Sequence, residues 1–184
     1  MKRPVPAILL LPAMLVLFAC NQTPPPADET QPRQPVFNTA RAVAYADYYK
    51  AGGLDLNVVS LDLYSEGITL DSAGLMHGTG TNLYFSDIFL PVNAVRLEDG
   101  IYQTDSVILP MTFLRGADYE GSITGAYILT IAEDELTSIT LIPDGQFEVT
   151  TVADSTFIEF NLHYKENYRQ QEYKARFNGI IEYE

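Results

Sequence analysis

The chain has 184 residues, 47% of them hydrophobic, with 24 acidic against 11 basic residues and a net charge of −13. Such an acidic surface repels nucleic acid and anionic lipid headgroups, which excludes a nucleic-acid-binding role. The single cysteine, Cys20, excludes an internal disulfide and a zinc site built from several thiolates.

The N-terminus has the pattern of a bacterial lipoprotein signal. Two basic residues precede an uncharged apolar run over residues 5–19, which is shorter than the ~20 residues needed to span a bilayer and contains two prolines. The run ends in Leu17-Phe18-Ala19-Cys20, which resembles the lipobox at which a bacterial lipoprotein is cut and its cysteine lipidated. We expect residues 1–19 to be removed and Cys20 to be lipidated; an ordinary secretory signal with an incidental cysteine is the alternative.

That resemblance implies attachment to a membrane through the lipid on Cys20. Asn21 is not the aspartate associated with retention in the inner membrane, so the outer membrane is favoured, on either of its faces. Residues 20–35 are predicted to form the lipidated cysteine and an extended tether, because five prolines stand among polar residues without an apolar period. Since Lys2 and Arg3 leave with the signal, the net charge falls from −13 to −15.

Residues 36–184 are predicted to form a single all-β domain. From Phe37 onward apolar residues alternate with a period of two, which is typical of half-buried antiparallel strands, and no helical segment of ten or more residues is indicated. The predicted strands lie near residues 40–49, 54–64, 82–90, 100–109, 124–132, 135–142, 146–152, 155–164 and 172–183.

Two local features and the strand number complete the fold prediction. Pro143-Asp144-Gly145 stands between two predicted strands and is typical of a short hairpin in which glycine takes a positive φ. The apolar phase slips between Val58 and Val59, which predicts a β-bulge because one extra residue restores the buried face. About nine strands with a C-terminal meander predict an antiparallel β-sandwich, and a lipocalin-like β-barrel is the alternative.

Four segments of the domain carry a resemblance to known proteins: residues 78–87 (GTGTNLYFSD), 97–102 (LEDGIY), 125–127 (GAY) and 177–181 (FNGII). They resemble a group of Bacteroidetes-type surface or periplasmic lipoproteins with β-sandwich domains. The chain has Glu98-Asp99 where that group has a proline. The resemblance covers most of residues 40–184 and implies a β-sandwich and an envelope location, but it transfers no functional residues.

The sequence offers few groups for catalysis. It contains no Gly-x-Ser-x-Gly motif, and only His77 and His163 are available as imidazole bases. His77 lies in a glycine-rich segment close in sequence to Ser86 and Asp87, and His163 falls on the polar face of a strand. A turn residue and a solvated surface residue are the simpler interpretations, so no catalytic residue is predicted.

Metal and glycosidase sites are no better indicated. The two histidines lack the spacing of zinc motifs, and the aspartates near predicted turns form no calcium-binding loop. A glycoside hydrolase needs two carboxylates across a cleft, and Asp87 with Glu159 is one of many pairs that 24 acidic residues offer. No metal and no cofactor is predicted. The turn aspartates are Asp99, Asp105, Asp118, Asp134 and Asp144.

Tyrosine is the remaining signal, with twelve tyrosines and no tryptophan. Residues 45–49 contain three of them just before the first predicted turn. Tyr164 and Tyr173 bracket a polar hairpin tip over residues 165–171, and their phase places both at the core. Tyr168 in that tip is predicted to be free to contact a partner, such as an envelope protein or a glycan.

Anchor, tether and apolar core are visible in the sequence, whereas a catalytic constellation is not. The leading hypothesis is therefore a lipid-anchored cell-envelope protein with a non-enzymatic binding or structural β domain. A lipocalin-like carrier of a small apolar ligand is the first alternative, and a glycan hydrolase is the second.

Overall fold

The computed structural model describes residues 35–46, 48–105 and 107–184. The predicted signal, the lipidation site Cys20 and the tether up to residue 34 lie outside the described residues, and what the sequence predicts for them stays a prediction. Within the described part of the chain, no helix has the length and apolar character needed to cross a membrane.

About two thirds of the described residues lie in strands, which confirms the all-β class. The one helical element among them is a short 3₁₀ turn at Lys50–Gly52. The strands are β1 (Val36–Ala46), β2 (Asn57–Ser65), β3 (Ile68–Leu70), β4 (Met76–Gly78), β5 (Gly80–Leu90), β6 (Gly100–Thr104), β7 (Thr112–Phe113), β8 (Ala117–Tyr119), β9 (Ser122–Thr124), β10 (Ala126–Ala132), β11 (Glu135–Leu141), β12 (Asp144–Val152), β13 (Ser155–Glu166), β14 (Arg169–Gly179) and β15 (Ile181–Tyr183).

Eight of the described strands close into a barrel. Their order is β5–β2–β1–β14–β13–β12–β6–β7, and β7 pairs back with β5 through Ile88–Phe113 and Phe89–Thr112. The β1–β14 and β6–β7 pairs are parallel, and the other pairs in the ring are antiparallel. Because a sandwich keeps two separate sheets, the predicted β-sandwich is wrong, and the closed barrel named as the alternative matches the strand pairing.

The closing strand β7 explains why the sequence pointed to a sandwich. It has only two residues and follows Met111, which adopts a positive φ of 64°, so β7 contributes no alternating pattern. The β1–β14 pair joins segments about 140 residues apart in sequence, near Val36 and Arg176. Neither the pairings of β7 nor the β1–β14 pair has a local sequence signature, yet both are needed to close the ring.

The predicted hairpin at Pro143-Asp144-Gly145 is also wrong. Strand β11 pairs with β10, whereas β12 pairs with β6 and β13, so β11 and β12 are not neighbours and the meander is broken there. Gly145 does have a positive φ, of 136°, but it lies inside β12. A Cβ on Gly145 would lie 2.6 Å from Leu162 Cα, so the glycine permits close approach of β12 and β13 rather than a turn.

The change of apolar phase at Val58-Val59 does not come from a bulge in β2, as the sequence predicted. Leu56 and Val58 face an outer cluster while Val59, Leu61 and Leu63 face the barrel interior, so β2 is buried on both faces. The register does shift beside these residues, but the extra residues belong to the neighbouring strands β1 and β5. Because both faces of β2 are buried, consecutive apolar residues occur in it, and this is the same sequence pattern that a bulge produces.

Aromatic rings fill the middle of the barrel. The Phe85 ring lies 5.1 Å from Phe113, 5.2 Å from Phe147 and 5.9 Å from Phe160, and Tyr102 stacks on Phe147 at 4.9 Å. Full burial of one such side chain stabilises the fold by about 1.5–3 kcal/mol. This packed centre provides stability that a domain without disulfides must obtain from its core.

Two smaller clusters lie on the outer surface of the β1–β2–β5–β10 wall. Leu56, Val58 and Phe89 pack under the segment that contains the 3₁₀ turn, and Tyr64 with Ile131 packs under the β3–β4 hairpin. The clusters cover two separate patches of this wall. Between them, outward-facing residues of the same strands remain partly exposed.

Candidate functional site

Tyr168, the predicted contact residue, lies in the turn of the β13–β14 hairpin. It adopts a positive φ of 63° and its side chain is fully exposed. Tyr164 and Tyr173 are half-buried and pack against the barrel core, as predicted. Tyr168 is therefore accessible, but it offers only one ring at the tip of a turn.

His77 lies in β4 between two aspartates and does not meet Ser86 or Asp87. Its Nε2 lies 3.4 Å from Asp71 Oδ2 and its Nδ1 lies 3.8 Å from Asp134 Oδ1. Backbone N–H groups of the β3–β4 loop and the neighbouring imidazole lower the pKa of Asp71. The arrangement ties the β3–β4 hairpin to the β10–β11 turn, and the two ring nitrogens both face carboxylates.

His163 lies on the outer face of β13, as its phase predicted. Its Nδ1 lies 3.6 Å from Asp144 Oδ2, and Thr104 Oγ1 donates a hydrogen bond of 3.0 Å to Asp144 Oδ1. The hydroxyl thus bonds to the carboxylate and not to the imidazole. A nucleophilic triad needs the opposite order, with the imidazole between hydroxyl and carboxylate.

Carboxylates near the turns act as local hydrogen-bond acceptors. Asp99 accepts from Thr151 N–H at 2.8 Å, and Asp118 accepts from Gly121 N–H at 2.8 Å. Among the residues that the structure describes, no group of three or more His, Cys, Asp or Glu side chains is arranged to hold a metal ion.

Asp87 and Glu159 are not brought together. Asp87 lies in β5, whereas Glu159 lies in β13 directly opposite Glu148 and Arg176. Glu148, Glu159 and Arg176 line a shallow polar groove of about 360 Å³ on the wall opposite β2 and β5.

A group of tyrosines on the outside of the β1–β2–β5–β10 wall is the most distinctive surface feature. Its members come from β1, β2, β5 and β10 and from the segment after β1, and the tyrosines surround one carboxylate and one guanidinium. We call this group the tyrosine face; it consists of Arg41, Tyr45, Tyr48, Tyr49, Asp62, Tyr84 and Tyr127.

Strand register aligns the central residues of the tyrosine face in one row. Tyr127 of β10 is opposite Tyr84 of β5, Tyr84 is opposite Asp62 of β2, and Asp62 is opposite Arg41 of β1. These residues face outward because their neighbours along each strand, such as Leu61, point into the barrel.

The tyrosine rings contact one another along the face. Tyr84 and Tyr127 have ring centroids 5.0 Å apart, Tyr45 and Tyr48 6.3 Å, and Tyr48 and Tyr49 5.1 Å. Tyr45 and Tyr48 are exposed, whereas Tyr84 and Tyr127 are half-buried. Aromatic pairs at these distances hold each other in place while leaving part of each ring accessible.

Asp62 is a half-buried carboxylate at the centre of the row. Burial raises the pKa of Asp62, although hydrogen bonds from Asn82 and Tyr64 and the charge of Arg41 act in the opposite direction. The Asn82 Nδ2 donates to Asp62 Oδ1 at 3.2 Å and to the Leu63 carbonyl at 3.2 Å. The carboxylate is therefore fixed in position and incompletely solvated.

The polar groups beside Asp62, on Tyr84, Tyr127 and Arg41, are also partly removed from solvent. Burial and the charge of Asp62 raise the pKa of Tyr84 to about 12 and also raise the pKa of Tyr127. Arg41 Nε lies 3.5 Å from Glu182 Oε2, but this buried nitrogen makes no hydrogen bond. The Arg41 side chain as a whole is 38% exposed, so a ligand hydroxyl on this face would meet an acceptor in Asp62 and a donor in the Arg41 guanidinium.

A second network fixes the edge of the face nearest the 3₁₀ turn. The Tyr49 hydroxyl donates to Asp87 Oδ1 at 2.9 Å, Ser86 Oγ donates to Asp87 Oδ2, and Gly125 N–H donates to Ser86 Oγ at 2.9 Å. Tyr49 is thereby held against β5 and its ring lies 5.6 Å from Phe89.

The sequence identified only one part of this face, the tyrosines of residues 45–49. Arg41, Asp62, Tyr84 and Tyr127 stand in four different strands, and a wrong sandwich topology gave no means of aligning them. The available signal was their phase, because each occupies an outward position between inward apolar residues.

The chain matches no protein-family model, no curated protein and no solved structure.

Proposed function

We propose that the protein is a lipid-anchored, non-enzymatic binding module of the bacterial cell envelope, with the tyrosine face as its contact surface. The observation that carries this proposal is the row Tyr127–Tyr84–Asp62–Arg41 on the outside of the barrel. Tyrosine is favoured at binding surfaces because it combines a large apolar ring with a hydroxyl, at a low cost in conformational entropy.

The predicted anchor gives this surface a setting. A lipidated Cys20 followed by an extended tether of fifteen residues would let the domain reach up to about 45 Å from the bilayer. The acidic domain is repelled by anionic headgroups, so it would be held near the membrane without lying on it. Such an arrangement suits presentation of a binding face to other components of the envelope.

The barrel interior weighs against the carrier alternative. A small apolar ligand needs a cavity of roughly 300–1,000 Å³, whereas Phe85, Phe113 and Phe147 contact one another in the middle of the barrel. For the hydrolase alternative, Glu148 and Glu159 form an adjacent pair of carboxylates in a shallow groove beside Arg176. Neither alternative has an observation as specific as the tyrosine face.

Retention on delipidated envelope material tests the proposal. Full-length lipidated protein in detergent is sedimented with delipidated cell-wall sacculi, purified outer-membrane proteins and surface polysaccharide, so that the lipid anchor makes no contribution. We expect wild-type retention on one of these fractions and a loss of at least about tenfold in a Tyr84→Ala/Tyr127→Ala double variant.

Two control variants distinguish the surfaces. Tyr168→Ala removes the exposed tyrosine of the hairpin tip, and Gln146→Ala alters the groove on the opposite wall. Both should bind like the wild type, and the thermal unfolding of every variant verifies its fold. Unchanged retention of a folded double variant, or loss of retention in Tyr168→Ala alone, would contradict the proposal.

A further inference from the structure

We infer that the tyrosine face takes a linear, neutral oligosaccharide, an inference that rests on the proposed function and names the ligand class of that surface. Three features of the molecule support this ligand class: the spacing of the row, the polarity of its side chains and the net charge of the domain.

The spacing of the row fits an extended chain of sugar rings. Register places Tyr127, Tyr84, Asp62, Arg41 and Glu182 on five adjacent strands, β10, β5, β2, β1 and β15. Since neighbouring strands are separated by ~4.8 Å, the row extends over about 19 Å. The separation of neighbouring strands is comparable to the length of one sugar unit in a linear pyranose chain, so successive sugars would meet successive side chains.

One end of the row offers aromatic surface. Tyr84 and Tyr127 form a tilted pair, with centroids 5.0 Å apart and an interplanar angle of 45°. A sugar ring presents C–H groups on its face and hydroxyls on its rim. Stacking on a tyrosine pair suits that face, because the ring is apolar and the phenol hydroxyl remains at its edge.

The other end of the row offers complementary hydrogen-bonding groups. The Asp62 carboxylate accepts hydrogen bonds, and the partly exposed guanidinium of Arg41 is a donor. A sugar hydroxyl both donates and accepts, so adjacent hydroxyls can bridge the two side chains. Hydrogen bonds to charged groups are stronger than those between neutral groups, which gives these two residues weight in recognition.

The charge of the surface favours a neutral ligand. The carboxylates of Asp62, Glu182 and Asp87 and the negative net charge repel anionic glycans. Arg41 stands opposite Asp62 in the strand register, and its charge acts against the burial that raises the pKa of Asp62, so the row does not present an isolated carboxylate for a cation. A cation held by the tyrosine rings is the competing chemistry, and its binding would weaken with salt.

A set of hexasaccharides that share a length and differ in charge tests the inference on the full-length lipidated protein in detergent. The neutral probes are chitin, β-1,4-glucan, α-1,4-glucan and mannan fragments; chitosan is the cationic probe and oligogalacturonate the anionic one. Affinity is measured by calorimetry at about 0.05 M and about 0.5 M NaCl. We expect at least one neutral probe to bind, with affinities at the two salt concentrations within about twofold of each other.

Matched variants locate the site. Tyr84→Ala should weaken binding at least about tenfold, and Tyr84→Phe should retain it within about threefold because the ring remains. Asp62→Asn, which keeps the size of the side chain, provides a second variant if Tyr84→Ala does not fold, and it should weaken binding several-fold. Asn161→Ala on the opposite wall should bind like the wild type.

The outcomes separate this inference from the proposed function. Salt-sensitive binding of chitosan in preference to every neutral probe would overturn it in favour of a cation site. Failure of all neutral probes, while Tyr84→Ala/Tyr127→Ala still abolishes retention on envelope material, would overturn the ligand class and leave the binding module standing. If no neutral probe binds and the wild type is not retained on envelope material, both the ligand class and the proposed function are overturned.

Discussion

At the scale of single residues, Asp62 is the group whose position is hardest to explain by stability alone. It is fixed on the outer wall by Asn82 and Tyr64, yet burial raises its pKa. The charged form is therefore less favourable in the folded protein than in the unfolded chain. A carboxylate retained under such conditions is typical of sites where function opposes stability.

Asp62→Asn should consequently change the pH dependence of stability in a defined direction. A raised pKa stabilises the fold below the unfolded value of 3.8, and this contribution is lost as pH rises through the folded pKa. The stability of the variant relative to wild type should thus be greatest at pH 7 and decrease as the pH falls toward 4. Urea unfolding of both proteins across this range measures the difference; a relative stability that increases on acidification would mean that the Asp62 pKa is lowered.

Gly145 makes a residue-scale prediction about the barrel itself. Its φ of 136° and the 2.6 Å separation between a Cβ and Leu162 Cα leave no room for a side chain. Gly145→Ala should destabilise the domain by about 2–4 kcal/mol through backbone strain and overpacking. The control is Gly52→Ala, where a Cβ meets nothing within 4 Å, and it should change stability by less than about 1 kcal/mol. Equal effects of the two substitutions in urea unfolding would show that β12 and β13 are not this close.

At the scale of elements, the short strand β7 decides the architecture. Met111 N–H donates to the Phe89 carbonyl at 2.8 Å and Leu114 N–H donates to the Asp87 carbonyl at 2.9 Å, which joins β7 to β5. Gln103 N–H donates to the Met111 carbonyl at 3.2 Å and joins β6 to the same segment.

Amide hydrogen exchange should therefore distinguish the closed barrel from an open pair of sheets. Strand β11 provides the comparison, because among the described strands it pairs only with β10. The N–H of Ile142 donates to the Ala126 carbonyl, and hydrogen-bonded pairs alternate along an antiparallel ladder, so the N–H of Ile139, opposite Leu129, points away from β10. We expect Met111, Leu114 and Gln103 to exchange slowly, and Ile139 to exchange quickly. Exchange of Met111 and Leu114 as fast as that of Ile139 would contradict closure.

Individual strands were predictable to the extent that they have one buried face. Strands β12, β13 and β14 alternate cleanly, and the predictions near 146–152, 155–164 and 172–183 found all three. Strand β2 is buried on both faces and gave a false bulge, and β7 is too short to have a pattern. The order of strands was not predictable, because pairs such as β1–β14 depend on contacts between residues distant in the chain.

The candidate site depended on that order more than on any motif. Tyr168 was identifiable because a polar turn between two alternating strands predicts exposure, and it is exposed. The row of Tyr127, Tyr84 and Asp62 required the β10–β5–β2 pairing, which the sequence did not supply. Exposed single residues can thus be predicted from a local pattern, whereas a surface composed of several strands needs the register.

At the scale of the whole molecule, the protein combines a predicted lipid anchor with the proposed binding face. Cys20 is the predicted attachment point, and the described residues begin at the end of the predicted tether. Cys20→Ala should abolish incorporation of labelled palmitate and release the protein from the membrane fraction, because the thioether carries the diacylglycerol. Labelling is measured on immunoprecipitated protein from growing cells. Persistent label in Cys20→Ala would contradict lipidation at this residue.

The location of the binding surface is the central claim, and a nuclear magnetic resonance titration of the full chain in detergent tests it most directly. The titrant is the neutral hexasaccharide or delipidated envelope glycan with the highest affinity. We expect chemical-shift changes concentrated at Arg41, Asp62, Tyr84 and Tyr127, with little change at Tyr168. Changes confined to Tyr168 or to the groove on the opposite wall, or none at saturating concentrations, would contradict the claim that the tyrosine face is the contact surface.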